Sequence, residues 1–245
     1  MYFDERMLKR YEPKTFADLV FVDDVVREKL EGYVNGYKNR WVILWGAPGS
    51  GKSATANVVA NAMNNHAETI FKVDTANVIN AADWEAKTPE SIVNWFFSGS
   101  PTIVFDELAH LNEPQQAKLR GIWDKWAHCG NIIFTMNHHP SEHVIDALID
   151  RCEVFHIERP SVEQALPVAR RMFSDAGLTN YSDSQIQALL STKTKVAYER
   201  DGSVSKTRRL TWRDVQTIVG DERQYNRTKP KNKSVKKTEL KVVKK

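Results

Sequence analysis

The sequence predicts an α/β fold: a parallel sheet flanked by helices, followed by a small all-helical lid domain. Three observations lead there. Short apolar runs recur between residues 42 and 157 and alternate with helix-like stretches. Those runs are apolar at consecutive positions, as strands buried on both faces must be. After Arg159-Pro160 the runs stop, and three helix-like segments fill the chain to about residue 223. The expected organisation is 1–160 for the α/β domain, 161–225 for the helical lid and 226–245 for a basic tail.

The elements follow in order. Val42-Ile43-Leu44-Trp45 reads as a buried strand ending at Gly46. Ser53 to Met63 is alanine-rich and helical. Thr69 to Val73 is a second strand, and Pro89 to Phe97 a helix with proline at its start. Thr102 to Phe105 is a third strand, and Glu113 to Trp126 a helix with Pro114 in its first turn. Asn131 to Thr135 and Val154 to Ile157 complete the strands. Beyond Pro160, helices are expected at Ser161–Asp175, Ser182–Thr192 and Leu210–Asp221, with no strand among them. Ser161 with Gln164, and Ser182 with Gln185, have capping-box spacing. Pro167 should kink the first of these helices or delay its start.

A chain of 245 residues fits one large domain or two small ones. The longest apolar run, Trp41 to Trp45, is far too short to cross a membrane. The first residues, MYFDERMLKRYEPK, are charged and carry no signal-peptide core. Two cysteines, Cys129 and Cys152, make no disulfide framework, and a cytoplasmic location is expected. The net charge of +4 hides an asymmetry. Residues 226–245 hold eight lysines, one arginine and one glutamate, so the first 225 residues are slightly acidic. Such a tail is either a nucleic-acid contact or a solvated terminus, and both readings stand.

Residues 46–53 read GAPGSGKS, the G-x-x-x-x-G-K-[ST] pattern of a P-loop NTPase. Gly46, Ala47, Pro48, Gly49, Ser50, Gly51, Lys52, Ser53 and Ala54 are the expected nucleotide-binding residues. Glycines let backbone N–H groups curl around phosphate oxygens, and the helix that follows offers its N-terminus to the anion. Lys52 is placed for the β- and γ-phosphates of ATP, and Ser53 for Mg²⁺. Downstream, the strand Thr102–Phe105 ends in Asp106-Glu107. An acid at the C-terminal edge of a parallel strand lies where ligands bind in such sheets. Asp106 is the second Mg²⁺ ligand, and Glu107 the group that orients and polarises water. His138, His139 and His143 cluster, the last two at i,i+4, but no third acidic or cysteine ligand is arranged as in a known site. No zinc site is expected there. Trp84, Trp95, Trp123 and Trp126 fit core or interface positions better than base stacking.

With these motifs the chain resembles the AAA+ ATPases, and more narrowly the clamp-loader subunits of the replication factor C small-subunit type and their phage counterparts. Lys9-Arg10-Tyr11-Glu12-Pro13-Lys14-Thr15-Phe16-Ala17-Asp18-Leu19-Val20 is similar to the family's opening segment, which lies against the adenine. The resemblance implies that Tyr11, Pro13 and Val22 flank the base. DELAHLNEPQQAKLRG (106–121) matches a family stretch whose helix lines a central chamber and a subunit interface near DNA. Gln116 and Arg120 are thereby DNA or interface candidates. Ile132 to Asn137 resembles the sensor-1 strand, which implies that Asn137 meets the γ-phosphate or the lytic water. Asp150-Arg151-Cys152 falls on the family's Ser-Arg-Cys, implying that Arg151 reaches into the ATP site of a neighbouring copy. Ser205 to Leu210 resembles the sensor-2 stretch, which implies Arg208, with Arg209 left open, as a cation on the bound nucleotide.

The resemblance covers roughly residues 9–223 and does not extend to the family's collar domain. It implies a homo-oligomer of five or six copies acting on DNA, with a sliding clamp or a helicase as client. A helicase-loader-like or protein-remodelling assembly is the alternative.

Overall fold

The computed structural model describes residues 11–36, 40–66, 78–80, 102–198 and 204–228. The expected strand at 69–73, the helix at 89–97, Trp84 and Trp95, and nearly all of the basic tail lie outside these residues.

Five strands form one parallel sheet: β1 (Trp41–Trp45), β2 (Val78–Asn80), β3 (Thr102–Asp106), β4 (Asn131–Met136) and β5 (Cys152–His156), in the order β2-β3-β4-β1-β5. Alternation along β1 explains its unbroken apolarity. Trp41 and Ile43 point into one core with Ile103, Phe105, Ile132 and Phe134. Val42 and Leu44 point into the other with Val104, Ile133 and Phe155. The first core is closed by α3 (Glu113–Trp126) and the one-turn α4 (Asp146–Ile149), through Leu119, Ile122 and Leu148. The second is closed by α1 (Asp24–Val34) and α2 (Lys52–His66), through Val26, Leu30, Tyr33, Ala56, Val59 and Ala60. Side chains also satisfy buried backbone at strand ends. The Asn64 amide of α2 donates to Thr102 O (3.0 Å) and accepts from Thr102 N (2.7 Å), fixing the start of β3.

The second unit contains α5 (Val162–Asp175), α6 (Asp183–Thr192) and α7 (Trp212–Thr228) around a core of Ala165, Ala169, Met172, Phe173, Ile186, Leu190, Leu210, Val215 and Val219. Ser161 and Ser182 cap α5 and α6 with both halves of the capping box, as their spacing predicts. Pro167 does not delay the start of α5, which begins at Val162.

Two expectations are corrected here. The lid is not purely helical, because β6 (Lys195–Tyr198) and β7 (Val204–Arg209) pair antiparallel between α6 and α7. The hairpin was hidden because its strands are short and rich in charge, without the apolar runs of the main sheet. The tail also begins later than residue 226. α7 continues to Thr228, and the Asn226 amide donates to Tyr181 Oη (3.0 Å) and Glu222 O (2.9 Å).

Candidate functional site

All five strands point the same way, so their C-terminal ends share one edge, and the P-loop leaves β1 there. Gly46 N donates to Met136 O (3.2 Å), and Ile157 N to Trp45 O (2.8 Å), which binds the loop to the ends of β4 and β5. Three glycines are steric requirements. A Cβ on Gly46 (φ +151°) would lie 2.3 Å from Ile157 O, one on Gly49 (φ +78°) 2.8 Å from Thr211 Cβ, and one on Gly51 (φ +103°) 3.2 Å from Trp212 Nε1. The last two contacts come from the lid. Trp212 N, at the first turn of α7, donates to Gly49 O (3.1 Å). Arg159 donates from Nε (3.1 Å) and Nη2 (2.9 Å) to Pro48 O, holding the loop from the hinge between the two units. Ala47 O accepts from Ser50 N (3.2 Å) inside the loop, and Ala54 sits half-buried in the first turn of α2.

Lys52 is buried, and its ammonium donates to Ala47 O (3.1 Å). Burial pulls its pKa down to about 8 against the pull of the Asp106 and Glu107 carboxylates, and the guanidinium groups of Arg159 and Arg213 lower it further. A buried ammonium of this kind is stabilised in its charged form by a neighbouring anion. Ser50 Oγ, buried in the same loop, has no hydrogen-bond partner among the described residues. An arriving phosphate oxygen satisfies both, so the residues present fit a nucleotide.

Ser53 Oγ donates to Asp106 Oδ1 (3.2 Å) across the gap between α2 and β3, bringing together the two residues expected to hold Mg²⁺. Thr135 of β4, which sequence reasoning passed over, joins them. Its hydroxyl donates to Asp106 Oδ1 and accepts from Glu107 N (3.2 Å). The available signal was a threonine inside an otherwise apolar buried strand. Glu107 is the sole non-glycine residue at positive φ among the described residues (φ 63°, ψ 52°). A left-handed glutamate costs on the order of 1–3 kcal/mol and aims the side chain out of the strand direction. Its Oε2 lies 3.1 Å from His110 Nε2. Asn137 follows β4 directly and is half-buried, on the same edge as Gly46 and Asp106.

The residues expected to flank the base are only partly brought together. Val22 lines a small cleft with Val20, Phe21, Asp23, Val26, His156, Ile157 and Glu158, next to the carbonyl that Gly46 abuts. Tyr11 instead packs on the lid core, and Pro13 is half-buried.

The cations expected from the resemblance fall differently. Arg151 precedes β5 at the opposite, N-terminal edge of the sheet, level with Arg40. Five residues of strand separate that edge from the P-loop, about 16 Å. Arg151 is not a spare charge within its own chain: its guanidinium contacts Asp124 Oδ1 of α3 through Nε (2.8 Å) and Nη2 (2.7 Å), and Nη1 donates to Ala147 O (2.5 Å). Arg208 lies in β7 opposite Val196, not at a helix start. Arg209 pairs with Glu158 (3.3 Å). Among the described side chains of the lid, Arg213, in the first turn of α7 and not singled out beforehand, has a field that reaches Lys52. Its signal was Thr211 and Asp214 forming a helix start around it: Asp214 N donates to Thr211 Oγ1 (3.0 Å), and Thr211 N to Asp214 Oδ2 (3.2 Å).

Gln116 is corrected as a DNA or interface candidate. It is 1% exposed, and its amide donates to Leu111 O (2.9 Å) and His143 O (2.9 Å) while accepting from Ile145 N (2.9 Å). Such a group is a clamp inside the fold. Arg120 is exposed on α3, 3.9 Å from Asp124.

No described helix is long and apolar enough to cross a membrane. Among curated proteins, the chain is 23% identical to an uncharacterised protein of Thermotoga maritima over 88% of this chain and 36% of that one. It is 25% identical to the replication factor C small subunit of Archaeoglobus fulgidus over 66% and 51%. The chain thus spans between about a third and a half of these relatives' lengths. Among solved structures, the Thermotoga maritima RuvB Holliday junction branch migration motor aligns with TM-score 0.59 at 15% identity, over 89% of this chain and 65% of that one. The replication initiator DnaA bound to AMPPCP and single-stranded DNA aligns with TM-score 0.57 at 16% identity, over 87% and 68%. Residues 42–159 match the model of the ATPase family associated with various cellular activities (AAA). The stretch from β1 to the hinge thus matches an AAA ATPase domain.

Proposed function

We propose that this chain hydrolyses ATP at interfaces between its own copies and uses the cycle to act on DNA, as a clamp-loader-like replication factor. One observation carries the reading. The P-loop half of the site gathers on one edge of the sheet, while Arg151 is presented on the other edge, about five strand residues away. Stacked copies bring the two edges together. Similarity to the replication factor C small subunit of Archaeoglobus fulgidus, at 25% identity, supports the replication role.

In this reading Lys52 and the P-loop amides hold the phosphates, and Ser53 and Asp106 hold Mg²⁺. When bound there, Mg²⁺ would supply positive charge to offset the negative charge that develops on the phosphate. Thr135 fixes Asp106 and the backbone of Glu107. Glu107 takes the attacking water once it leaves His110, and Asn137 faces the reacting phosphate. Val22, with Tyr11 and Pro13 from the opening segment, flanks the base. Arg208 stays the lid cation that the resemblance implies, with Arg209 as its alternative, and Arg213, whose field reaches Lys52, joins them as a candidate. A neighbour's Arg151 completes the site, and Arg120 stays a candidate for the interface or for DNA. A helicase-loader-like or protein-remodelling role is the second reading, favoured by the fold shared with a DNA-bound initiator.

The test mixes Arg151→Ala with Lys52→Ala protein. Each alone is expected to be nearly inactive, whereas mixed oligomers regain part of the ATPase rate, because some interfaces join an intact P-loop to an intact arginine. Mixed oligomers that form but stay inactive defeat the arrangement in trans. Primer-template DNA with a sliding clamp should raise the rate of the unmodified protein; stimulation by neither supports the second reading.

A further inference from the structure

The three histidines of the loop after β4 are not equivalent in the fold. His139 is consumed locally. Its Nδ1 accepts from Ser141 N (3.3 Å) and lies 2.8 Å from Ser141 Oγ, and its ring meets Trp45 edge-on at 4.9 Å. His138 and His143 are left facing each other, with ring centroids 5.3 Å apart at 72°. Between them stands Glu142, with Oε2 at 3.9 Å from His138 Nδ1 and 4.0 Å from His143 Nε2. One donor atom from each of the three residues falls within 4.8 Å of the others.

We propose that His138, Glu142 and His143 form a site for a divalent transition-metal ion of the zinc type, with water completing its coordination. Tetrahedral zinc at about 2.0–2.1 Å from each donor sets the donors about 3.4 Å apart. The two histidine–carboxylate separations exceed that by roughly half an ångström and the two imidazoles lie within 4.8 Å, a gap that exposed side chains close by turning about their torsions. The backbone beneath them is fixed, which makes the site more than a chance meeting of surface groups. A short 3-10 turn, Pro140–Glu142, closes with His143 N (3.1 Å) and Val144 N (2.8 Å) both donating to Pro140 O. Pro140 is buried, and the buried Gln116 amide bolts His143 O and Ile145 N to α3. The donor set selects the ion. Two imidazoles and one carboxylate suit zinc, cobalt, nickel or copper, whereas Mg²⁺ and Ca²⁺ take oxygen ligands. This also explains why the sequence concealed the site. The i,i+4 pair 139/143 draws attention, but the ligating pair is 138/143, and the acid comes from a turn that brings residue 142 back between them.

The location gives the site a use. His138 follows Asn137 directly, so an ion joining residue 138 to residues 142 and 143 would close the loop that carries Asn137 into a ring. The inference concerns metal binding alone, and its test uses no nucleotide. The full-length protein is titrated with Zn²⁺ by calorimetry in the presence of excess Mg²⁺, and with Co²⁺ by visible absorption. Expected for the unmodified protein are one saturable zinc equivalent in the micromolar range and the intense visible bands of four-coordinate cobalt. His138→Ala with His143→Ala should weaken zinc binding more than about 100-fold and abolish the cobalt bands, and Glu142→Ala alone should weaken it at least about tenfold. All three side chains are exposed, so the variants should match the parent's metal-free melting temperature. Zinc binding that needs millimolar ion, or that persists in the double variant, or that ignores Glu142→Ala, overturns the site.

Discussion

The two edges of the parallel sheet are built from the same strands and have opposite chemistry. At the C-terminal edge, polar groups are left wanting. Lys52 is buried with its pKa drawn down to about 8, Ser50 Oγ lacks a partner among the described residues, and Glu107 sits in a left-handed conformation. At the N-terminal edge the cations are paired: Arg151 has Asp124 and Ala147 O, Arg40 donates to Asp150 O (2.5 Å), and Trp41 Nε1 donates to Gly130 O (3.2 Å), while Asn131 Oδ1 is a buried exception with no partner among the described residues. The first edge is organised around something absent from the chain. The second is at rest, and its arginine changes partners only if a stronger acceptor than an exposed aspartate arrives. Exposed ion pairs contribute only about 0–1 kcal/mol, so a phosphate in a dry interface offers enough.

The largest expected effect separates the two edges directly. Lys52→Ala should lose both turnover and tight nucleotide binding, because the phosphates lose their buried cation. Arg151→Ala should lose about 10³-fold in turnover yet bind fluorescent nucleotide as the parent does, since no part of its own P-loop changes. Its melting temperature should barely move, because the Asp124 pair is partly exposed. If nucleotide affinity falls with Arg151→Ala as it does with Lys52→Ala, the separation of the edges is wrong.

A smaller effect probes the C-terminal edge itself. Thr135→Val keeps the side-chain shape but removes the hydroxyl that ties Asp106 to Glu107 N. Turnover should fall about 10–100-fold, the size usual for removing an outer-shell partner of a metal ligand, and the Mg²⁺ concentration for half-maximal rate should rise. A purely structural threonine would lower the melting temperature without shifting the Mg²⁺ dependence.

How much of this was legible beforehand divides along the same line. The strand β1, the P-loop and Asp106 announce themselves because their chemistry is local: consecutive apolar residues, glycines forced by close backbone approach, an acid at a strand end. Groups defined by long-range packing were not readable. Gln116 matched a family helix near DNA, and only the fold shows three backbone groups around its amide. Arg208 matched a motif in a line of sequence, and only the fold shows that the hairpin β6–β7 takes it into a strand and that Arg213 on the next helix has a field reaching Lys52. Asp124 lies 27 residues before Arg151, with nothing in the sequence to pair them.

The smallest expected effect is a pH dependence that belongs to the C-terminal edge alone. Lys52 in the folded chain has a pKa of about 8, below its ordinary 10.5, mainly through burial. Its protonated form is therefore disfavoured by folding, and the sign follows. As pH falls from 10.5 to about 8, the unfolded chain takes up the proton and the folded chain does not, so stability declines over that window and is level below it. A bound phosphate reverses the bias, because a neighbouring anion favours the charged lysine. Nucleotide binding should then take up a fraction of a proton above about pH 8, and affinity should weaken as pH rises further. Calorimetry at pH 8.5 in two buffers of different ionisation enthalpy measures the uptake. Lys52→Met should abolish it, while Arg151→Ala should leave it intact. Uptake that survives Lys52→Met would mean that another group at this edge titrates in its place.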